Sequence, residues 1–367
     1  MNNANPARFG TTWTPDHFDG EIAFNHMQLA FTEAMAQHPN ELLESFFIFG
    51  GRNVLVRCVG RNLAEHITRP FSHLKISKGN STTAELLIDL WDDNLLGDHQ
   101  RYDARENGSR WYQTTLEPSD GQYIAQRLPN TFGCLDRKHS HIMAAIHWHD
   151  RIFIYERAKP LSRLLLDWFN GQDVQIIHTG LVAHNHKGLL FVGKSGAGKS
   201  TSSLACIIAG FDYLSEDYVG LQFCNDGSFI GHSIYNSLFL KTDHLERFPQ
   251  LAPYAIRGRP PYEEKSVILL SQVFPERLER AVPIRALVLP RVVNAPEARP
   301  RAASKGEALL ALGPSSLLQI PNRGLGVCGF NKLADLVERI PCFWLEVGAD
   351  LMSIPTRLEN LLKDLDV

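Results

Sequence analysis

Several features that would fix a protein's class at once are missing from this sequence. Its six cysteines, Cys58, Cys134, Cys206, Cys224, Cys328 and Cys342, form no Cys-x-x-Cys pair and no zinc-finger spacing. That argues against a thiolate metal centre and against a dithiol redox motif. Some lie in apolar runs, as in Leu204-Ala205-Cys206-Ile207-Ile208, and read as small buried residues of a reducing compartment. No apolar run approaches the roughly 18 residues that a membrane-spanning helix needs. The opening residues Met1–Pro6 show no basic stretch followed by an apolar one, so the expectation is a cytoplasmic protein with no membrane attachment. Charge of one sign is also lacking: 37 Lys and Arg against 40 Asp and Glu leave a formal net charge of −3. Such a balance provides no general attraction to nucleic acid. His139 with His141 and His147 with His149 form two pairs, each spaced by two, but no cysteine or carboxylate constellation completes a zinc site around them.

What is present is enough apolar material for two folded domains. The chain has 367 residues, 44% hydrophobic and 21% charged, which argues against disorder and for a large buried core. The first part reads as a mixed α+β region, residues 1–158. It has a helix near Phe24–Gln37, a hairpin of Ser45–Phe49 and Asn53–Val59 turning at Gly50-Gly51, and strands at Ala84–Trp91, Trp111–Leu116 and Arg151–Tyr155. Pro160 opens a helix over Leu161–Asn170. The second part, residues 159–367, changes to short buried strands alternating with helices, which implies an α/β sheet. The strands read there are Val174–Val182, Gly188–Val192, Asp212–Leu221, Ser233–Leu240, Ile284–Leu289 and Cys342–Val347. Helices fit Lys199–Ala209 and Met352–Asp364. Pro290–Lys305 reads as an exposed connection.

The sharpest local signal is Gly193-Lys194-Ser195-Gly196-Ala197-Gly198-Lys199-Ser200, which fits G-x-x-x-x-G-K-[ST] without a mismatch. Glycines let the backbone curl so that successive N–H groups point at phosphate oxygens, and a helix beginning at Gly198 adds its positive end. In such a loop Lys199 reaches the outer phosphates, and the Ser200 hydroxyl ligates Mg2+, with Thr201 following in the first helical turn. The flanks agree, with Leu189-Leu190-Phe191-Val192 extended before the loop and Ser202–Ala209 helical after it. The expected ligand is therefore ATP with Mg2+. Carboxylates are needed beside such a site, and the first downstream are Glu216 and Asp217, late in an apolar strand. Adjacent strand residues face opposite ways, so either one of them points at the nucleotide or the strand end splays both inward.

At these residues the sequence resembles a known family. His178-Thr179-Gly180-Leu181-Val182, then Gly188–Thr201, then Gly210-Phe211-Asp212-Tyr213-Leu214-Ser215-Glu216-Asp217 look like the catalytic domain of HPr kinase/phosphorylase, itself related to ATP-dependent phosphoenolpyruvate carboxykinase. The nearer likeness is to HPr-kinase-related bacterial proteins, some of which accompany lasso-peptide biosynthesis. The resemblance covers about residues 160–240 and continues through Ile284–Arg291; it does not extend to the first 150 residues. It implies a P-loop catalytic domain of HPr kinase/phosphoenolpyruvate carboxykinase type. It implies Lys199 and Ser200 in phosphate and metal roles, and Glu216 and Asp217 in place of an aspartate pair, one a base towards an acceptor hydroxyl and the pair near the metal, with Asp217 grouped with Ser200. It places His178 close to the phosphates, and it implies a homo-oligomer. The C-terminal segment used for the reverse, phosphate-consuming reaction is not found, which favours a kinase with another substrate over a bifunctional enzyme acting on HPr.

The expected activity is transfer of the γ-phosphoryl group to a hydroxyl, a serine of a protein or peptide, with the first domain recognising the acceptor. A small-molecule acceptor uses the same parts. The competing class is a nucleotide-hydrolysing switch; no LSGGQ-like segment supports an ABC-type ATPase, and Asn331-Lys332 runs on into Leu333-Ala334 rather than an N-K-x-D guanine reader. A binding module without turnover is the third. Three cations are set down as phosphate contacts: Lys241 just past a strand, Lys265 after Glu263-Glu264, and Arg285 near a strand start.

Overall fold

In the computed structural model the described residues are 19–77, 83–96, 114–116, 121–128, 130–148, 152–169, 172–194, 196–258, 264–317 and 325–365. They divide into two compact units: Met1–Arg69 with Lys75–Trp168, and Pro70–Leu74 with Phe169–Val367. The short segment Pro70–Leu74 thus leaves one unit and packs in the other.

The first unit is one twisted sheet with a helix laid on it. Its elements are α1 (Gly20–Gln37), β1 (Leu42–Phe49), β2 (Arg52–Val59), α2 (Arg61–Ile67), β3 (Lys75–Ile76), β4 (Leu86–Asp92), β5 (Thr114–Leu116), β6 (Tyr123–Arg127), β7 (Thr131–Asp136), β8 (His141–Ile146), α3 (Ile154–Ala158) and α4 (Ser162–Phe169). The order across the sheet is β3-β1-β2-β4-β8-β7-β6-β5. β2, β4 and β8 run parallel, and the hairpins on either side are antiparallel. Asp19 caps α1, its carboxylate accepting from Ile22 N at 3.0 Å. The helix then buries Ala23, Phe24, Met27, Ala30, Phe31 and Ala34, a three-and-four spacing that forms one apolar stripe. That stripe packs on Val59, Trp91, Tyr123, Phe132 and Met143 of the sheet.

The second unit contains β9 (Val174–Ile177), β10 (Gly180–His184), β11 (Lys187–Phe191), α5 (Lys199–Ile208), β12 (Asp212–Ser215), β13 (Val219–Phe223), β14 (Phe229–His232), β15 (Ser237–Lys241), β16 (Ile256–Arg257), β17 (Lys265–Leu269), β18 (Ala281–Val292), β19 (Arg299–Ala302), α6 (Lys305–Leu317), α7 (Leu325–Arg339), β20 (Cys342–Val347) and α8 (Ser353–Asp364). Its main sheet runs β12-β10-β11-β18-β14-β13-β9, with β20 also on β18 and β19 on β20. β18 is long enough to serve three partners: Ala281–Pro283 pair antiparallel with β14, Ile284–Val288 pair parallel with β11, and Leu287–Val292 pair parallel with β20. Alternation decides the faces. Leu190, Val192, Leu287 and Leu289 pack with Ala308, Leu312, Leu333 and Leu336 of α6 and α7. Leu189, Phe191, Ala286 and Val288 pack with Ala205 and Cys206 of α5 and with Ile354, Leu358 and Leu361 of α8. A small sheet, β15-β17-β16, lies against Leu204 and Ile207 of α5.

A mixed α/β chain with several sheets is therefore observed, and its departures from expectation are local. Ile154–Ala158 is a helix where Arg151–Tyr155 reads as a strand; Arg151 lies outside the described residues. A five-residue apolar run does not distinguish the two periods, and the buried Glu156 carboxylate, bonded to Asn130 N and Nδ2 at 3.2 and 2.9 Å, holds the helical form from afar. Val174–Val182 is two strands with different partners, broken at His178-Thr179. Asp212–Leu221 is likewise broken at Glu216–Tyr218. Within Pro290–Lys305, Arg299–Ala302 is an edge strand on β20 rather than free connection. Trp111–Gln113 of one expected strand lie outside the described residues; Thr114–Leu116 pairs with β6.

Candidate functional site

The glycine segment joins the carboxyl end of β11 to the amino end of α5. β11 continues into it through Val192, whose N–H bonds Val288 O at 2.9 Å. The curl depends on left-handed backbone: Gly198, the N-cap of α5, has φ 104°, and Gly193 has φ 147° with Ala197 Cβ only 3.2 Å from where a side chain would begin. L-residues are disfavoured there. The N-cap has no side-chain acceptor, so the first N–H groups of α5 keep their capacity to bind an anion. Ser195 lies outside the described residues. Lys194 and Gly196 are exposed, and Thr201 is buried in α5.

Lys199 is 7% exposed, and its ammonium donates to Gly193 O at 2.6 Å and Lys194 O at 3.2 Å. Burial lowers its pKa from the usual lysine value, while Asp217 and Glu216 pull it upward. The Ser200 hydroxyl, one residue on, donates to Glu216 Oε1. The other oxygen, Oε2, accepts from Phe239 N of β15 at 2.7 Å. Glu216 is 2% exposed, so both carboxylate oxygens are held by donors in a nearly dry setting.

Asp217 is placed quite differently. Its backbone is left-handed, φ 67°, an uncommon state for a residue with a side chain, of the kind that concentrates at functional sites. The reversal is fixed locally: Tyr218 N bonds Glu216 O at 2.9 Å, and Ser215 Oγ donates to Tyr218 O. It ends β12 and allows both carboxylates to leave the strand end without obeying strict alternation. The Asp217 side chain keeps 31% exposure and lies 3.3 Å from His178 Nε2. His178 sits in the break between β9 and β10, its backbone N–H bonded to Ser316 Oγ at 3.2 Å. Beside it and along α5, the buried hydroxyls of Thr179, Ser202 and Ser203 have no hydrogen-bond partner.

Lys199, Ser200, Glu216, Asp217 and His178 are thus linked in one place. Of the two carboxylates, Glu216 is the one hydrogen-bonded to Ser200. The cations separate. Lys241 is exposed on β15, two residues after the Phe239 amide that holds Glu216, and is paired in register with Lys265 of β17. Arg285 lies elsewhere. It falls in the register shift between Gly188/Ile284 and Leu189/Ala286, at the start of β11. At about 3.3 Å per residue that is about 10 Å short of Val288, at the end of the strand away from the loop. The histidines are occupied by neighbours in the first unit: His139 Nδ1 is 2.6 Å from Asp136 and His141 Nε2 is 2.8 Å from Asp89, while His149 lies outside the described residues. Sequence reasoning missed Ser316 and the Phe239 amide. A backbone donor carries no residue signature, and Ser316 lies 138 residues from its partner His178.

No helix among the described residues is long and apolar enough to cross a membrane. No family model matches the chain, and no curated protein matches it. Among solved structures it is similar to one described as the Hpr(Ser) kinase/phosphatase from Coxiella burnetii, at 14% identity and TM-score 0.31, covering 52% of this chain and 93% of that one.

Proposed function

We propose that the second unit is a P-loop kinase of HPr kinase type that transfers the γ-phosphoryl group of ATP to a hydroxyl, a serine of a protein or peptide. The observation that carries this reading is the Ser200–Glu216 hydrogen bond at the first turn of α5, with the solvent-reaching Asp217 next to it. The two adjacent carboxylates have different surroundings and so suit different tasks.

Ser200 Oγ and Glu216 are hard oxygen donors of the kind that Mg2+ takes, and they would hold it. Bound there, the ion would neutralise charge on the transferring phosphate. Lys199 and the N–H groups of Gly196 and of residues 198–200 bind and orient the triphosphate. Asp217 accepts the proton of the acceptor hydroxyl as that oxygen bonds to the γ-phosphorus. The bond from that phosphorus to the β–γ bridging oxygen breaks, and the donor leaves as ADP. His178 orients Asp217 through the 3.3 Å contact. Lys241 with Lys265 offers positive charge on the β15 side.

The test is incubation of the full chain with γ-labelled ATP, Mg2+ and serine-bearing peptides. Label is expected on peptide, and Lys199→Ala is expected to lower transfer by about 10³-fold or more. Label released only to water would replace the kinase with a hydrolase, and transfer that survives Lys199→Ala would place the site elsewhere.

A further inference from the structure

The segment Pro70–Leu74 belongs to the second unit although its chain neighbours on both sides belong to the first. It is tied in at several points. Pro70 O accepts from Asn236 N at 2.8 Å, and His73 O accepts from Arg280 Nε at 3.0 Å. Asn236 Nδ2 donates to Ser72 Oγ at 3.2 Å, and the Phe71 ring lies 5.2 Å from that of Tyr235. A further tie, His73 Nε2 to Ser233 Oγ at 2.6 Å, leads towards the acidic residues.

Ser233 Oγ also bonds Leu214 O. A carbonyl has no proton to give, so the serine proton lies on that bond, and the hydroxyl must accept from His73 Nε2–H. Nε2 therefore carries a proton, and Nδ1, facing the Asn236 amide Nδ2 at 3.5 Å, is the acceptor of a neutral imidazole. Burial, with Arg280 nearby, pushes the His73 pKa down to about 3, which keeps this arrangement at neutral pH.

Leu214 is where β12 needs help. β12 is an edge strand with β10 as its partner, and the pairing jumps from Val182/Tyr213 to Leu181/Ser215, so Leu214 is the extra residue of a bulge. It is fully buried, where a carbonyl without a donor is costly. Ser233 supplies the donor, and the two residues after Ser215 are Glu216 and Asp217.

We infer that His73 is a positioning residue: by orienting the Ser233 hydroxyl onto the Leu214 carbonyl, it fixes the strand end that presents Glu216 and Asp217. The consequence for transfer rests on the kinase reading above; the positioning itself does not.

Two measurements on the full chain separate these. Amide exchange at residues 215–218 is expected to quicken by about tenfold in Ser233→Ala and in His73→Leu, with α5 amides still protected. His73→Gln, whose amide N–H reaches close to the Nε2 position, is expected to restore wild-type exchange. The second measurement is kinetic: kcat is expected to fall by about 10- to 100-fold in the same two variants, with KM for Mg-ATP within about twofold, and the double variant no worse than Ser233→Ala alone. Unchanged exchange at 215–218 in Ser233→Ala overturns the inference, as does failure of His73→Gln to restore it. If His73→Leu does not fold, Ser233→Ala and His73→Gln still decide. Absence of transfer by the wild-type chain, with the exchange result intact, overturns the kinase reading alone.

Discussion

The two units hold acidic side chains in different settings. In the first, Asp89 is 1% exposed and fully engaged: Arg57 meets it with two bonds at 2.6 and 2.7 Å and His141 adds a third at 2.8 Å. Asp167 is likewise held by Arg163 at 2.9 Å and Arg137 at 3.4 Å. In the second unit, the buried hydroxyls of Thr179, Ser202, Ser203 and Ser266 lack partners, and Asp217 adopts a left-handed backbone. Removing such a carboxylate strands the cations around it, whereas Asp217 keeps 31% exposure and can still meet a ligand. Unsatisfied donors and a strained carboxylate beside a helix start are the pattern of a site prepared for something else.

The contrast can be tested from the largest effect down. Asp217→Asn is expected to lower phosphoryl transfer by about 10²- to 10⁴-fold, the range for loss of a general base, with the unfolding midpoint nearly unchanged. Transfer at the wild-type rate would remove Asp217 from the chemistry and leave its backbone strain without a function.

In the first unit the outcome should invert. Asp89→Ala is expected to destabilise the chain by about 3 kcal/mol, because it strands Arg57 and His141; Arg57 reaches solvent, which keeps the loss at the low end. Urea unfolding reads the loss, and transfer by the folded fraction should be unaltered. A stable Asp89→Ala chain that no longer transfers phosphate would erase the distinction between the units.

A third test varies pH. His73 and His232 of the second unit are pushed down to about 3 and about 4, in both cases chiefly by burial. A histidine with a folded pKa below its unfolded value of about 6.5 binds fewer protons when folded, so its contribution is complete above that value and shrinks as pH falls. Stability is therefore expected to decline from about pH 6.5 towards pH 3, and His73→Gln should flatten that decline. An unchanged slope in that variant would show that His73 keeps a solvent-like pKa.

Legibility followed the range of the interactions involved. The hairpin at Gly50-Gly51 was readable because its turn and both strands sit within 18 residues, Leu42–Val59. The strand, glycine loop and helix around residues 187–208 were readable for the same reason. The breaks at His178-Thr179 and at Glu216–Tyr218 were hidden, since apolar residues continue on both sides and only the partner strands show that the chain changes neighbours. The triple pairing of β18 was hidden too, because its 12 residues carry no mark of where one partner ends and the next begins.

By itself the sequence determined the glycine loop, its lysine and hydroxyl, and an acidic pair downstream, all features set by backbone sterics and hydrogen bonding within a few residues. Only the tertiary structure decided that Glu216 rather than Asp217 meets Ser200, that Arg285 lies level with the start of β11, and that His73 reaches Ser233 across 160 positions. Those outcomes depend on register and on which buried polar group finds a partner, and neither is encoded in any local stretch of chain.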